Sequence, residues 1–245
     1  MNDNISRRTA LGGTLAAALA VGTAVATAAP AAAATFSDVP SSHIFYREIM
    51  DLSRAGVIGG WPDGTFRPDE PVRRDAMAAF LYRLVGEPAV DLSMGGLADV
   101  PPGIAHREAM YWAWQQGVIF GRPGAEGWLF EPREVMTRIQ GLLAVYNTED
   151  RVLKVERGQY GMAAPAFDDM PLSEYPAHTG YADAATWGRT RSITEGWQQG
   201  TRRIFRPEEP LLRDATAAFV HRLGVKSVGW SESYRIPLPR GFVRL

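Results

Sequence analysis

Six stretches of the chain place apolar residues at helical spacing, and they fall into three pairs. Phe45, Ile49, Leu52 and Ala55 predict a first helix that stops at Gly56. Met77, Phe80, Leu81 and Leu84, at i, i+3, i+4 and i+7, predict its partner. Ala109, Met110, Ala113 and Trp114 open the second pair, ending at Gly117, and Tyr181, Ala184, Ala185 and Gly188 give the third a thinner helix from Tyr181 to Ser192. Thr216, Phe219, Val220 and Leu223 repeat the offsets of Met77 to Leu84. The middle partner, with Ile139, Leu142, Leu143 and Tyr146, is rotated by one place relative to Arg138, which predicts different packing for that arginine. Its start carries Thr137-x-x-Gln140, a capping box. Pro71 and Pro210 suit a first helical position, so the helices there are expected to begin a few residues before Arg74 and Arg213.

Within each pair the connecting loop follows one outline: a glycine turn, an aromatic, Phe-x-Pro, then an arginine. It runs from Gly56 to Arg83, from Gly117 to Arg138 and from Ser192 to Arg213. Gly60 lines up with Gly121 and Gly196; the Phe follows six residues later in the first unit and nine in the others, a three-residue insertion. From Phe to arginine the span is eight residues every time: Phe66 to Arg74, Phe130 to Arg138, Phe205 to Arg213. Each unit opens on an apolar residue, an aspartate two places on, then an apolar residue and proline: Phe36 to Pro40, Leu97 to Pro101, Phe167 to Pro171. The boundaries read as 35–96 for the first unit with its spacer, 97–166 for the second with its linker, 167–224 for the third and 225–245 for a tail. The stretch from 148 to 166, with Gly158, Gly161 and Pro165, is expected to be an exposed linker.

Composition narrows the chemistry. The chain has no cysteine, which removes disulfides, thiolate metal sites and cysteine nucleophiles. At 46% hydrophobic and 22% charged it is ordinary for a globular protein, and its net charge of -1 supplies no field for nucleic acid. Lys154 and Lys226 are the only lysines, so arginine, with its planar fork of donors, is nearly the whole cationic inventory. Residues 1–34 read as a signal peptide. Ser6-Arg7-Arg8 precede an Ala-rich run and Ala32-Ala33-Ala34 gives a cleavage signature, with export by the twin-arginine or the general route and no further membrane span. Leaving out Arg7, Arg8 and Asp3 moves the net charge only to about -2.

The F-x-D-V opening, the G-V-I-G-G-W-P-D-G-T-F-R-P loop and the arginine-bearing helix start together resemble S-layer homology domains, three in tandem over about 36–86, 97–147 and 167–224. The family's helix start reads Thr-Arg-Ala-Glu; here Arg74, Arg138 and Arg213 keep the arginine, and the glutamate is absent. The resemblance implies an all-α fold, three helix-loop-helix repeats in a pseudo-threefold spindle around a central helix bundle. It also implies non-catalytic attachment of an exported protein to cell-wall polysaccharide, a secondary wall polymer with pyruvate ketals held in grooves between repeats.

A cation in the first turn of a helix opposes the macrodipole, whereas an anion there meets free N–H groups and a guanidinium together. Arg74, Arg138 and Arg213 are therefore expected either to hold a glycan carboxylate or to pair with Asp38, Asp99 or Asp169 and fasten the unit. Trp61, Trp128 and Trp197 either stack on sugar or plug the core, with Trp61 and Trp197, beside the aligned glycines, the better candidates. Gly60, Gly121 and Gly196 serve turn geometry or let a ligand approach, and Asp63 completes the glycan-binding set. Trp112, Trp114 and Trp187 are expected in the core. Four scattered histidines and Asp63-x-Thr65 give no metal site, and nothing calls for a cofactor.

Two rival readings stand beside wall-glycan binding. One is a protein-binding or self-assembling surface protein without the glycan pocket, favoured by the missing glutamate. The other is a wall-glycan hydrolase, for which Glu108 and Glu195 supply carboxylates but no evident acid–base pair, and no G-x-S-x-G occurs.

Overall fold

In a computed structural model describing residues 35–93, 95–155 and 166–229, six α-helices alternate with loops. The helices are α1 (Tyr46–Arg54), α2 (Arg74–Leu84), α3 (Arg107–Gln115), α4 (Arg138–Asn147), α5 (Tyr181–Thr190) and α6 (Arg213–Leu223). All six periodic stretches became helices. None of the six is long and apolar enough to cross a membrane. The signal peptide assigned to 1–34 and the tail beyond 229 lie outside the described residues.

Three of these helices, α2, α4 and α6, begin at the recurrent arginine. That corrects the early starts expected from Pro71 and Pro210. Both prolines instead lie just before the helices, where Pro71 bridges to Leu212 and Pro210 to Thr137. A proline there costs no donor, because its neighbours make the bonds: Val72 N–H to Leu211 O and Arg213 N–H to Glu70 O around Pro71, Leu211 N–H to Met136 O and Arg138 N–H to Glu209 O around Pro210. The Thr137–Gln140 capping box forms in both directions. Gly56 and Gly117 follow α1 and α3 in left-handed conformation, at φ 72° and 63°; after α5 Ser192 takes that role at φ 51°.

Packing joins helices of successive units. α2 lies on α3, α4 on α5 and α6 on α1, while α6 also touches α2 and α4. Phe66, Phe130 and Phe205 are wholly buried, as are Met77, Leu81, Leu142 and Val220. Each such side chain contributes roughly 1.5–3 kcal/mol by leaving water. Trp112 and Trp187 sit in this core, but Trp114 is only partly buried, stacked at its edge between Tyr111 and Trp128.

Between the units the backbone closes a triangle: Val72 N–H donates to Leu211 O at 2.8 Å, Leu211 N–H to Met136 O at 2.9 Å, and Met136 N–H to Val72 O at 3.0 Å. The residues just before α2, α4 and α6 are thus held to one another in a ring.

The all-α expectation needs correction at two loops. β1 (Arg122–Gly124) pairs antiparallel with β2 (Gly127–Leu129), and β3 (Trp197–Gln199) with β4 (Arg202–Ile204). These hairpins occupy the two longer loops, where three extra residues give room for a second strand. The shorter first loop closes instead through Trp61 N–H to Thr65 O at 2.8 Å. The expected linker also begins as ordered structure. Thr148–Leu153 continues α4 as a wider π-type turn with Thr148 and Glu149 buried, and 156–165 lie outside the described residues.

Candidate functional site

The loops are built on an aspartate clamp repeated three times. The residue after each Phe adopts a left-handed backbone, at φ 58° for Arg67, 57° for Glu131 and 57° for Arg206, which is unfavourable for a residue with a side chain. Asp38 offsets that cost by accepting the N–H groups of Phe66 and Arg67 at 2.8 and 2.7 Å. Asp99 does so for Phe130 and Glu131, and Asp169 for Phe205 and Arg206. The aspartate of the unit opening therefore serves the loop of its own unit and pairs with none of the three arginines.

With the turn held, the Phe carbonyl faces the next helix start. Arg74 Nε donates to Phe130 O at 2.6 Å, Arg138 Nε to Phe205 O at 3.0 Å, and Arg213 Nε to Phe66 O at 2.9 Å. Each arginine so reaches into the loop of the following unit, the last reaching back to the first. Arg138 makes the same bond as the others despite the rotated apolar face of α4, whose residues other than Gln140 are all buried. The helix-start N–H groups are also occupied. Arg74 and Asp75 donate to Glu134 O and Pro132 O, Arg138 and Ile139 to Glu209 O and Pro207 O, Arg213 and Asp214 to Glu70 O and Pro68 O. The expected pocket of free N–H groups is filled by neighbouring backbone.

The arginines still keep donors in hand. Arg213 uses one more, from Nη2 to Gly59 O at 2.9 Å, and Arg74 one to Phe120 O at 2.6 Å. Arg138 and Arg213 are buried to 7% and 6% exposure. Burial lowers both guanidiniums to about 10, still well above neutral pH, so both remain charged. Burial lowers Arg74 as well.

Tryptophans complete the arrangement in two of the three loops. Arg213 Cζ lies 4.2 Å from the centre of Trp61, and Arg138 Cζ 4.3 Å from that of Trp197. A second arginine lies over each ring, Arg67 at 4.5 Å from Trp61 and Arg206 at 4.8 Å from Trp197. Such contacts contribute about 0.5–2 kcal/mol apiece. Sequence reasoning passed over Arg67 and Arg206. Their signal was the middle residue of Phe-x-Pro, arginine in the first and third units and Glu131 in the second. In the second unit Arg122 replaces the tryptophan and is paired with Glu131, and Trp128 packs on Trp114 instead.

Asp63 sits at the tip of the first loop, bonded to Thr65 and Arg67. The three aligned glycines are packing positions: a Cβ on Gly60 would strike Thr65 O and the Phe36 ring, on Gly196 Ile204 O and the Phe167 ring, and on Gly121 Leu129 O. Structure therefore brings together Arg213, Trp61, Gly60 and Asp63 on one side and Arg138, Trp197 and Gly196 on another, and leaves Arg74 with Gly121 but no tryptophan.

This geometry coincides with a sequence match. Residues 35–78, which hold the first aspartate clamp, Trp61 and Arg74, match the S-layer homology domain. Outer membrane protein SlpA of Thermus thermophilus is 36% identical over 72 residues, 29% of this chain and 8% of that protein. The cellulosome-anchoring protein of Acetivibrio thermocellus is 26% identical over 172 residues, 67% of this chain and 35% of that protein. The chain thus spans well under half the length of these relatives.

Proposed function

We propose that the protein is an exported surface-attachment module, made of three S-layer homology repeats arranged about a pseudo-threefold axis, that binds an acidic cell-wall polysaccharide. The clamp, the arginine-to-carbonyl bond and the closed backbone triangle recur once per unit, which supports reading all three as repeats with the boundaries given above. The 172-residue similarity to an anchoring protein reaches past the single matched domain and supports the attachment role.

The observation that carries the glycan reading is the meeting of an arginine from one unit with a tryptophan from another, at Arg213–Trp61 and Arg138–Trp197. There the guanidinium retains N–H groups beyond its carbonyl bonds, and a half-open indole edge and the partly exposed Arg67 or Arg206 stand outside it. An anionic sugar substituent displaces the outer arginine's contact and takes the inner guanidinium's spare donors. Asp63 receives sugar hydroxyls at the loop tip. The second unit, with Arg122 in place of tryptophan, is the weakest of the three sites.

Substituting the buried arginines tests the fold as much as the ligand, so the decisive variants are Trp61→Ala and Trp197→Ala. Combined, they are expected to lower the protein pelleted with isolated cell walls by about tenfold, while the lost ring contacts lower the unfolding temperature but leave the protein folded at the assay temperature. Undiminished pelleting by the folded double variant contradicts the glycan site.

A further inference from the structure

We propose that a cavity between α2 and α3 binds a monosaccharide-sized hydroxylated acid, its carboxylate on Arg107 and Arg83 and its hydroxyl groups on Glu87 and Glu108. The cavity holds about 280 Å³, close to the lower end of ligand pockets at roughly 300 Å³. It lies near the C-terminal end of α2, whereas Arg74 begins that helix, roughly 16 Å away at 1.5 Å per residue over its 11 residues. It is separate from the arginine–tryptophan loops and does not rest on the function proposed for them.

Four charged side chains line this space, and none forms an ion pair with another among the described residues. Elsewhere Arg54, Arg67, Arg122 and Arg222 all find carboxylates. Nε of Arg107 is buried without an acceptor, while its guanidinium is steadied 4.8 Å from the Tyr111 ring. A fixed guanidinium with an unmet donor at the wall of a cavity is poised for an external acceptor. Among the described residues Arg83 makes only a long bond, 3.5 Å to Val57 O.

The balance of charge selects the ligand. Two guanidiniums face two carboxylates, so a phosphate dianion meets repulsion from Glu87 and Glu108, and a neutral sugar leaves both arginines unused. A hydroxylated acid satisfies both halves, since carboxylates accept from hydroxyls and guanidiniums donate to a carboxylate. Tyr82 and Ile104 supply apolar surface for the ring. His106 stands at the rim with a left-handed backbone, and burial together with Arg83 holds its imidazole below the ordinary range, so it is neutral at pH 7 and available to a hydroxyl.

The test is a titration of the purified full chain with glucuronate, glucose and glycine, followed by calorimetry and by backbone amide shifts around 104–109. Saturable glucuronate binding, with glucose at least about tenfold weaker and an Arg107→Gln variant weakened about tenfold, supports the site. Arg83→Gln provides a second variant, expected to weaken glucuronate about fivefold, should Arg107→Gln fail to fold. Glucuronate binding no better than glucose, unchanged binding in the folded variants, or glycine binding more tightly than glucuronate overturns the proposal.

Discussion

Arg213 donates from Nε to the carbonyl of Phe66 at 2.9 Å, joining residues 147 positions apart and closing the third unit onto the first. The bond is buried, charge-assisted, and accompanied by stacking on Trp61. Arg213→Ala leaves the Phe66 carbonyl and an emptied space behind it, and is expected to cost about 2–4 kcal/mol. Urea unfolding checks this, with the slope unchanged. A loss below about 0.5 kcal/mol contradicts the interlock.

The aspartate clamps carry a cost of their own. Asp38→Ala strands the N–H groups of Phe66 and Arg67 and removes the support for the left-handed Arg67. We expect about 2–3 kcal/mol of destabilisation, with Asp38→Asn milder because an amide oxygen still accepts. Chemical denaturation of the two variants gives the ordering.

Closure also makes the units interdependent. Ending the chain at residue 166 removes the carbonyls of Phe205, Pro207 and Glu209 that serve Arg138 and Ile139, and bares α4 where α5 packed. The truncated protein is expected to lose cooperative unfolding and amide dispersion. A sharp thermal transition in the fragment contradicts a ring that needs all three members.

In the first loop, bonds from the Thr65 hydroxyl and N–H and from Arg67 lower the Asp63 carboxyl to about 2 from its usual 3.8. A carboxyl lowered in the folded state supports folding fully above about 3.8, and that support fades as pH falls toward about 2. The Thr65 amide resonance is expected to titrate with a midpoint near that lower value. A midpoint near the ordinary 3.8 contradicts the loop geometry.

Much of this was legible along the chain. Six helices followed from apolar spacing, and the eight-residue span from Phe to arginine marked the arm between the acceptor carbonyl of each unit and its donor guanidinium. The acceptor itself was not legible. A backbone carbonyl has no side-chain signature, so the sequence offered a glycan carboxylate, or else aspartates, as partners for Arg74, Arg138 and Arg213, whereas Asp38, Asp99 and Asp169 bind their own loops. The hairpins were visible only as three extra residues, because insertion length reports room and not pairing. Arg67 and Arg206 could have been found by asking why a bulky residue stands before proline in a tight loop. Arg83 and Arg107 come from different units at no recurring spacing, and only the packing of α2 on α3 brings them to one cavity.

Attachment to wall polysaccharide is tested most directly by sedimenting the purified protein with native cell walls and with walls chemically stripped of their secondary polymer. The account predicts pelleting with native walls and at least about a tenfold loss on stripped ones, reduced also by free acidic polymer. Equal pelleting with both preparations, or none with native walls, contradicts it.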